Sequence, residues 1–153
     1  MSNDTITYYE MDMFISSYPK NIFLKYCDIV AITTNRPYVV FYTKDDMKGV
    51  FVNSTLHEII ERLPYVFFLI NQSTIINLFN LTAFTRSGSV YLFHLDSKQE
   101  YKVARRKRKE FWIRLSYLKQ KCSLDCEHRM ACNRICMKQN WCEYFNASQP
   151  NSI

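Results

Sequence analysis

Three groups of side chains in this 153-residue chain have types and spacings that could do chemistry. The first is the unbroken cationic run Arg105-Arg106-Lys107-Arg108-Lys109, which attracts anionic surfaces. The second is Asn71-Gln72-Ser73-Thr74, four hydrogen-bonding side chains set in the middle of the most apolar stretch, Pro64 to Phe84. The third is a cysteine series, Cys122-x3-Cys126-x5-Cys132-x3-Cys136-x5-Cys142, with His128 inside it. For Lys107, Arg108 and Lys109 the plain alternative to anion binding is a solvated helix face. For Ser73 and Asn77 it is satisfaction of backbone groups at a strand end, the expected role of Asn77.

The cysteines admit three accounts. On one continuous helix Cys122, Cys126, Cys132 and Cys136 fall within an arc of about 120°. They continue the face of Phe111, Leu115 and Leu118, so the stripe could simply pack on a sheet or a second subunit. Two C-x3-C pairs, or one pair with His128, could instead hold zinc, provided the five-residue gap makes a tight turn. Thiol redox sensing is the third account, with Lys121, Arg129 and Arg134 favouring thiolates.

Composition narrows the setting. Hydrophobic residues make up 48% of the chain, with 11 Tyr and 11 Phe, which argues against disorder. One domain is expected, with a real core. A formal charge of +6 and a pI near 9.0 favour an anionic partner: nucleic acid, an acidic protein or a membrane surface. The N-terminus, MSNDTITYYEMD, has no basic segment followed by an apolar one, so no secretory signal is expected. A bilayer span needs about 20 mostly apolar residues. The amides and hydroxyls of Asn71 to Thr74 would lie unsatisfied in hydrocarbon, so the 64–84 stretch is not a membrane helix. Cysteines in a chain without an export signal suggest a reducing, cytoplasmic compartment rather than a disulfide framework.

No catalytic constellation is apparent. With only Gly49 and Gly88 a phosphate-cradling loop is hardly feasible. His57, His94 and His128 are scattered, and no carboxylate pair has a recognisable context. No enzymatic activity is expected.

The elements that must position these groups read as short strands from Met13 to about Tyr101. Asn21–Lys25 and Ile29–Ile32 are two runs; Tyr38–Thr43 and Gly49–Val52 make a hairpin. Val90–His94 and Glu100–Val103 pair across Asp96-Ser97-Lys98-Gln99, after a turn at Ser87-Gly88-Ser89. Ser54 is the expected N-cap of a helix from Thr55 to Leu63, with Ile59, Ile60 and Leu63 as its apolar stripe and Pro64 after its end. Tyr65–Ile70 and Thr74–Leu81 read as core strands flanking the polar break. Beyond Val103, Phe111, Leu115, Leu118, Cys122 and Cys126 recur at helical spacing. The expected organisation is an N-terminal extension over 1–12, one domain over 13–118, a cysteine-rich helical extension over 119–145 and a frayed tail over 146–153.

Four pieces in order carry a resemblance. Asp28-Ile29-Val30-Ala31-Ile32 leads through the Thr33 to Pro37 loop to the aromatic strand at Tyr38; Thr55-Leu56-His57-Glu58-Ile59 is a short helix. Phe67 to Asn77 is an apolar strand, a polar step ending in Ser73, then two aliphatics and Asn77. Tyr101-Lys102-Val103-Ala104-Arg105-Arg106 closes the series. Together they resemble the signature of the LytTR DNA-binding domain family, over roughly residues 13–118. The resemblance implies a mainly β fold (α+β) of small antiparallel sheets with short helices, plus the helical cysteine-rich extension outside it.

It also implies a bacterial, sequence-specific transcription regulator that enters successive major grooves of double-stranded DNA through three loops, at repeated sites and often with bending. Carried over, the loops are Thr33 to Tyr38, Asn71-Gln72-Ser73 and Ala104-Arg105-Arg106. Within them Arg105 has a planar fork able to bond guanine O6 and N7 together. Asn71 and Gln72 have amides suited to adenine or phosphate, and Arg36 could reach backbone or base. Arg106, Lys107, Arg108 and Lys109 would attract phosphates without regard to sequence. Many relatives have His-Arg before the Ser where this chain has Asn71-Gln72, so one positive charge is missing. Ala104 replaces the usual Ser, removing a hydroxyl able to bond phosphate or cap a helix. With only about a dozen residues ahead of the β region, no receiver domain is expected. Control would then fall to homodimerisation, the cysteine tail, a partner protein or expression level. The competing expectation is a metal- or thiol-redox-responsive protein-interaction module that has lost DNA binding.

Overall fold

A computed structural model describes residues 4–9, 12–17, 20–45, 48–85, 87–92 and 100–124. The strands are β1 (Thr5–Tyr8), β2 (Asp12–Ser17), β3 (Lys20–Lys25), β4 (Ile29–Asn35), β5 (Tyr38–Thr43), β6 (Val50–Val52), β7 (Phe67–Asn71), β8 (Thr74–Asn77), β9 (Leu81–Phe84), β10 (Ser89–Leu92) and β11 (Glu100–Lys102). Two α-helices accompany them, α1 (Leu56–Ile60) and α2 (Arg108–Leu124). The strands form three antiparallel sheets, ordered β1-β2-β3, β6-β5-β4-β8-β7 and β11-β10-β9.

The centre of the molecule is β4. Ile29, Val30, Ala31 and Ile32 are all fully buried, an apolar run that only a strand covered on both faces can use. It lies between β5 and β8, with Ile32 opposite Phe41 on one side and Ile75 on the other. Met13 and Ile15 of β2, Leu56 and Ile59 of α1, and Phe111, Leu115 and Leu118 of α2 belong to the same core. The apolar face of α2 therefore packs on this core, with the Phe111 ring 5.9 Å from that of Phe68 on β7.

Several elements depart from the sequence reading. Thr5–Tyr8, within the segment set aside as an extension, is a strand in register with β2, from Thr5 opposite Ser16 to Tyr8 opposite Met13. Four residues of Thr-Ile-Thr-Tyr give too short an alternation to stand out. Helix α1 is capped by Thr55, whose Oγ1 accepts from the Glu58 amide at 3.3 Å, and not by Ser54. Ser54 bonds the Glu58 carboxylate instead, at 3.2 Å. The helix stops at Ile60, before Leu63, and its buried residues are Leu56 and Ile59.

The stretch Thr74–Leu81, expected as one strand, is two. A 3-10 turn at Leu78–Asn80 carries the chain from the five-stranded sheet into β9. Asn77 donates its amide hydrogens to the carbonyls of Tyr26 (3.0 Å) and Ile29 (2.9 Å), the backbone-satisfying role expected of it. Asn80 adds a bond to Ile29 O at 3.0 Å. These side chains fasten the 3-10 turn Tyr26–Asp28, which precedes β4, to the chain leaving β8.

The β5–β6 connection needs its glycine. Gly49 has φ +92°, and a Cβ there would run into Val40 Cγ1 and come within 3.2 Å of the Tyr42 ring. A left-handed conformation costs an L-residue roughly 1–2 kcal/mol before any clash. Gly49→Ala should therefore lower unfolding free energy by about 2 kcal/mol in urea titration. A change of a few tenths would mean the turn rearranges freely.

Candidate nucleic-acid interface

The three loops expected to act together are built as three tight connections. Asn35 pairs with Tyr38, so the β4–β5 hairpin turns on Arg36 and Pro37 alone, joined by a cis peptide bond. Asn35, Arg36, Pro37 and Tyr38 are exposed, and Tyr38 rests edge-on against Phe51 of β6, rings 6.0 Å apart. Asn71 pairs with Thr74, so the β7–β8 hairpin turns on Gln72 and Ser73. The third connection runs from β11 through Val103 and Ala104 into the 3-10 turn Arg105–Lys107, which leads directly into α2.

Hydrogen bonds join these connections. Asn71 Oδ1 accepts from the Ser73 amide (2.8 Å) and the Ser73 hydroxyl (3.1 Å), closing the β7–β8 turn. Asn71 Nδ2 donates to the Lys102 carbonyl at 2.8 Å, and the Ala104 amide donates to the Ile70 carbonyl at 2.8 Å. The Thr34 amide donates to the Ser73 carbonyl at 3.1 Å. Asn71, Gln72, Ser73, Ala104, Arg105 and Arg106 consequently line one open groove of about 630 Å³. Val103, buried beneath it, anchors the third connection.

The basic run divides. Arg105, Arg106 and Lys109 are exposed, whereas Lys107 and Arg108 are half-buried. Lys107 Nζ lies 5.7 Å from the centre of the Phe68 ring, a cation–π contact that draws it onto the core. Arg108 lies against the turn at Gly88, where an added Cβ would come within 2.6 Å of its Nε. Its Nε is buried without a hydrogen-bond partner. A continuous helical spacing makes this division unavoidable, because residues 107, 108, 111 and 115 wrap toward the core side of α2. Of the residues expected to attract phosphate, Lys107 and Arg108 are thus half-buried at the helix start, and Arg105 and Arg106 are exposed.

The ion pairs Lys102–Glu100 (3.6 Å) and Arg114–Glu110 (3.9 Å) leave Arg36, Arg105 and Arg106 without a carboxylate partner among the described residues. The Tyr101 phenol on β11 is pushed up to about 12 by burial and, less, by Tyr42.

Arg114 was not singled out by its sequence context and proves structural. Its guanidinium lies 3.9 Å from the Tyr65 ring centre and donates to the carbonyls of Tyr65 and Phe67, both at 3.0 Å. The signal was its helical spacing from Glu110 and Phe111, which puts it on the flank of the buried face.

Cys27 is half-buried, and burial together with Asp28 raises its thiol above the usual range, away from thiolate reactivity. Cys122 falls within α2, and the cysteine series from Cys126 through Cys132 and Cys136 lies outside the described residues. Among the described residues no group of three His, Cys, Asp or Glu side chains could hold a metal. None of their helices is long and apolar enough to cross a membrane.

A search of curated proteins finds no match. Among solved structures, a LytTr DNA-binding domain from Bacillus cereus has the same fold, with a TM-score of 0.55 at 13% identity, covering 75% of this chain and 98% of that one. The model of the LytTr DNA-binding domain family matches residues 20–116, which span β3 to the middle of α2 and include all three connections. Those 97 residues are well over half of the chain, and the protein therefore belongs to the LytTR family of DNA-binding domains.

Proposed function

We propose that this protein is a sequence-specific DNA-binding regulator of transcription, which contacts the major grooves of duplex DNA through the Arg36, Gln72 and Arg105 connections. The observation that carries this reading is the open groove on which Gln72, Ser73, Arg105 and Arg106 converge. Its cations have no carboxylate partner among the described residues. Exposed guanidiniums beside an exposed amide combine charge attraction with the directional bonding that base edges require. On this reading the protein works in the bacterial cytoplasm, on repeated sites, and binds them as a homodimer or as paired monomers.

Selection of binding sites from random duplex DNA, followed by titration at two salt concentrations, tests it. The wild-type protein should select a defined site and lose affinity steeply as salt rises. Arg106→Ala should reduce the slope of log affinity against log salt by about 0.9, the share of one phosphate contact, and leave the selected sequence unchanged. Binding that shows neither a preferred sequence nor a salt dependence would overturn the reading.

A further inference from the structure

The Asn71 side chain, half-buried in the groove wall, is committed to partners within the protein. Its oxygen takes two donors from Ser73, and its nitrogen donates to the Lys102 carbonyl. The orientation of the amide is set by its partners. Lys102 O can only accept and the Ser73 N–H can only donate, so a flipped amide would lose both bonds. Next to it, Ile70 O accepts from the Ala104 amide at 2.8 Å. Two successive residues of β7 therefore fasten the connection that carries Arg105 to the one that carries Gln72. On the other side, Ser73 O takes the Thr34 amide and fastens the Arg36 hairpin to the same turn. Gln72 itself is exposed and has no hydrogen bond to a described residue.

We infer that Asn71 is a positioning residue that fixes the spacing between Gln72 and Arg105, rather than a group that reads DNA. This rests on the DNA-binding reading above, and replaces the sequence-based expectation that Asn71 pairs with adenine. The physical reason is the cost of order. Two side chains on independently moving connections must both be immobilised when they engage neighbouring base edges. Holding their backbones together beforehand removes part of that cost, and it does so only for the sequence that presents both partners at that spacing. Non-specific binding through phosphates does not need a fixed spacing and gains nothing from it.

Two variants test this. Asn71→Ala removes the bonds to both Ser73 and Lys102. Asn71→Asp keeps an acceptor for Ser73 but sets a carboxylate oxygen against the Lys102 carbonyl. Its added charge weakens matched and mismatched DNA alike, so the ratio of the two affinities isolates positioning. In both variants that ratio should fall about tenfold, the size expected when one or two more side chains have to be ordered on binding. The loss should spread over every base pair read by Gln72 or Arg105, with the salt slope of non-specific binding unchanged. Hydrogen exchange at the Ser73 amide of the free protein should quicken in Asn71→Ala, and the melting transition should stay cooperative. A ratio within twofold of wild type would overturn the inference. So would a loss confined to a single base pair, which would make Asn71 itself a reader. If the wild-type protein selects no site, the DNA-binding reading and the inference fall together, and unchanged exchange at Ser73 would show separately that Asn71 holds nothing.

Discussion

Arg105→Ala should lower the preference of this protein for its selected site by about 5- to 150-fold, the 1–3 kcal/mol that a bidentate base contact supplies. Affinity for scrambled duplex should fall only by the share of one charge. The measurement is a pair of titrations, selected and scrambled DNA, at one salt concentration. Arg105 is exposed on the 3-10 turn at the mouth of the groove and makes no ion pair with a described residue, so its removal should leave stability unchanged. Arg105→Lys separates base reading from charge. A lysine keeps the phosphate attraction but lacks the planar fork, so it should restore non-specific affinity and not the preference. Equal preference in Arg105→Ala and wild type would remove Arg105 from the readout.

The largest effect on stability is expected at Asn77. It is fully buried and donates to Tyr26 O and Ile29 O, so Asn77→Ala deletes at least these two bonds and leaves a small void under β4. Each buried bond contributes about 1 kcal/mol. Both carbonyls keep another donor: Ile29 O retains Asn80, and Tyr26 O retains the Ile29 amide that closes its 3-10 turn. The expected loss is therefore about 2–4 kcal/mol in chemical denaturation, rather than the full penalty of two stranded acceptors. Asn77→Asp should be worse at neutral pH, because a carboxylate would face two carbonyl oxygens. Burial favours the protonated acid in the folded state, so its folded pKa lies above the unfolded value of about 3.9. Stability of that variant should be best below about pH 4 and fall as pH rises. A variant as stable at pH 7 as at pH 4 would contradict this account of the site. Loss of DNA affinity in either variant should follow only from the fraction unfolded.

Much of the architecture could be read without coordinates, for identifiable reasons. The Tyr38–Thr43 hairpin, the pairing of β10 with β11 and the inward face of Phe111, Leu115 and Leu118 follow from local alternation and helical spacing. The run Ile29–Ile32 read as a strand, and the structure covers it on both sides. The break at Asn71-Gln72-Ser73 marked a turn, because amides and hydroxyls cannot be left unsatisfied in an apolar strand. What escaped was short or depended on a distant partner. β1 is four residues long, and α1 ends at Ile60, well before Pro64. The split between β8 and β9 depends on Asn80 finding carbonyls some 50 residues earlier in the chain.

The sequence by itself determined the class of the fold, the family signature and the residue types able to meet DNA, because strand period, turn chemistry and charge are local properties. The tertiary structure decided where each polar side chain sits and which groups it meets. Lys107 lies over Phe68 and Arg108 against Gly88, while Arg105 and Arg106 face outward from the same unbroken run. Asn71 and Gln72 are neighbours of similar chemistry, yet Asn71 is fastened to Lys102, 31 residues away, and Gln72 is free in the groove. A hydrogen bond forms with whatever group lies within about 3 Å, and only the folded chain determines which group that is.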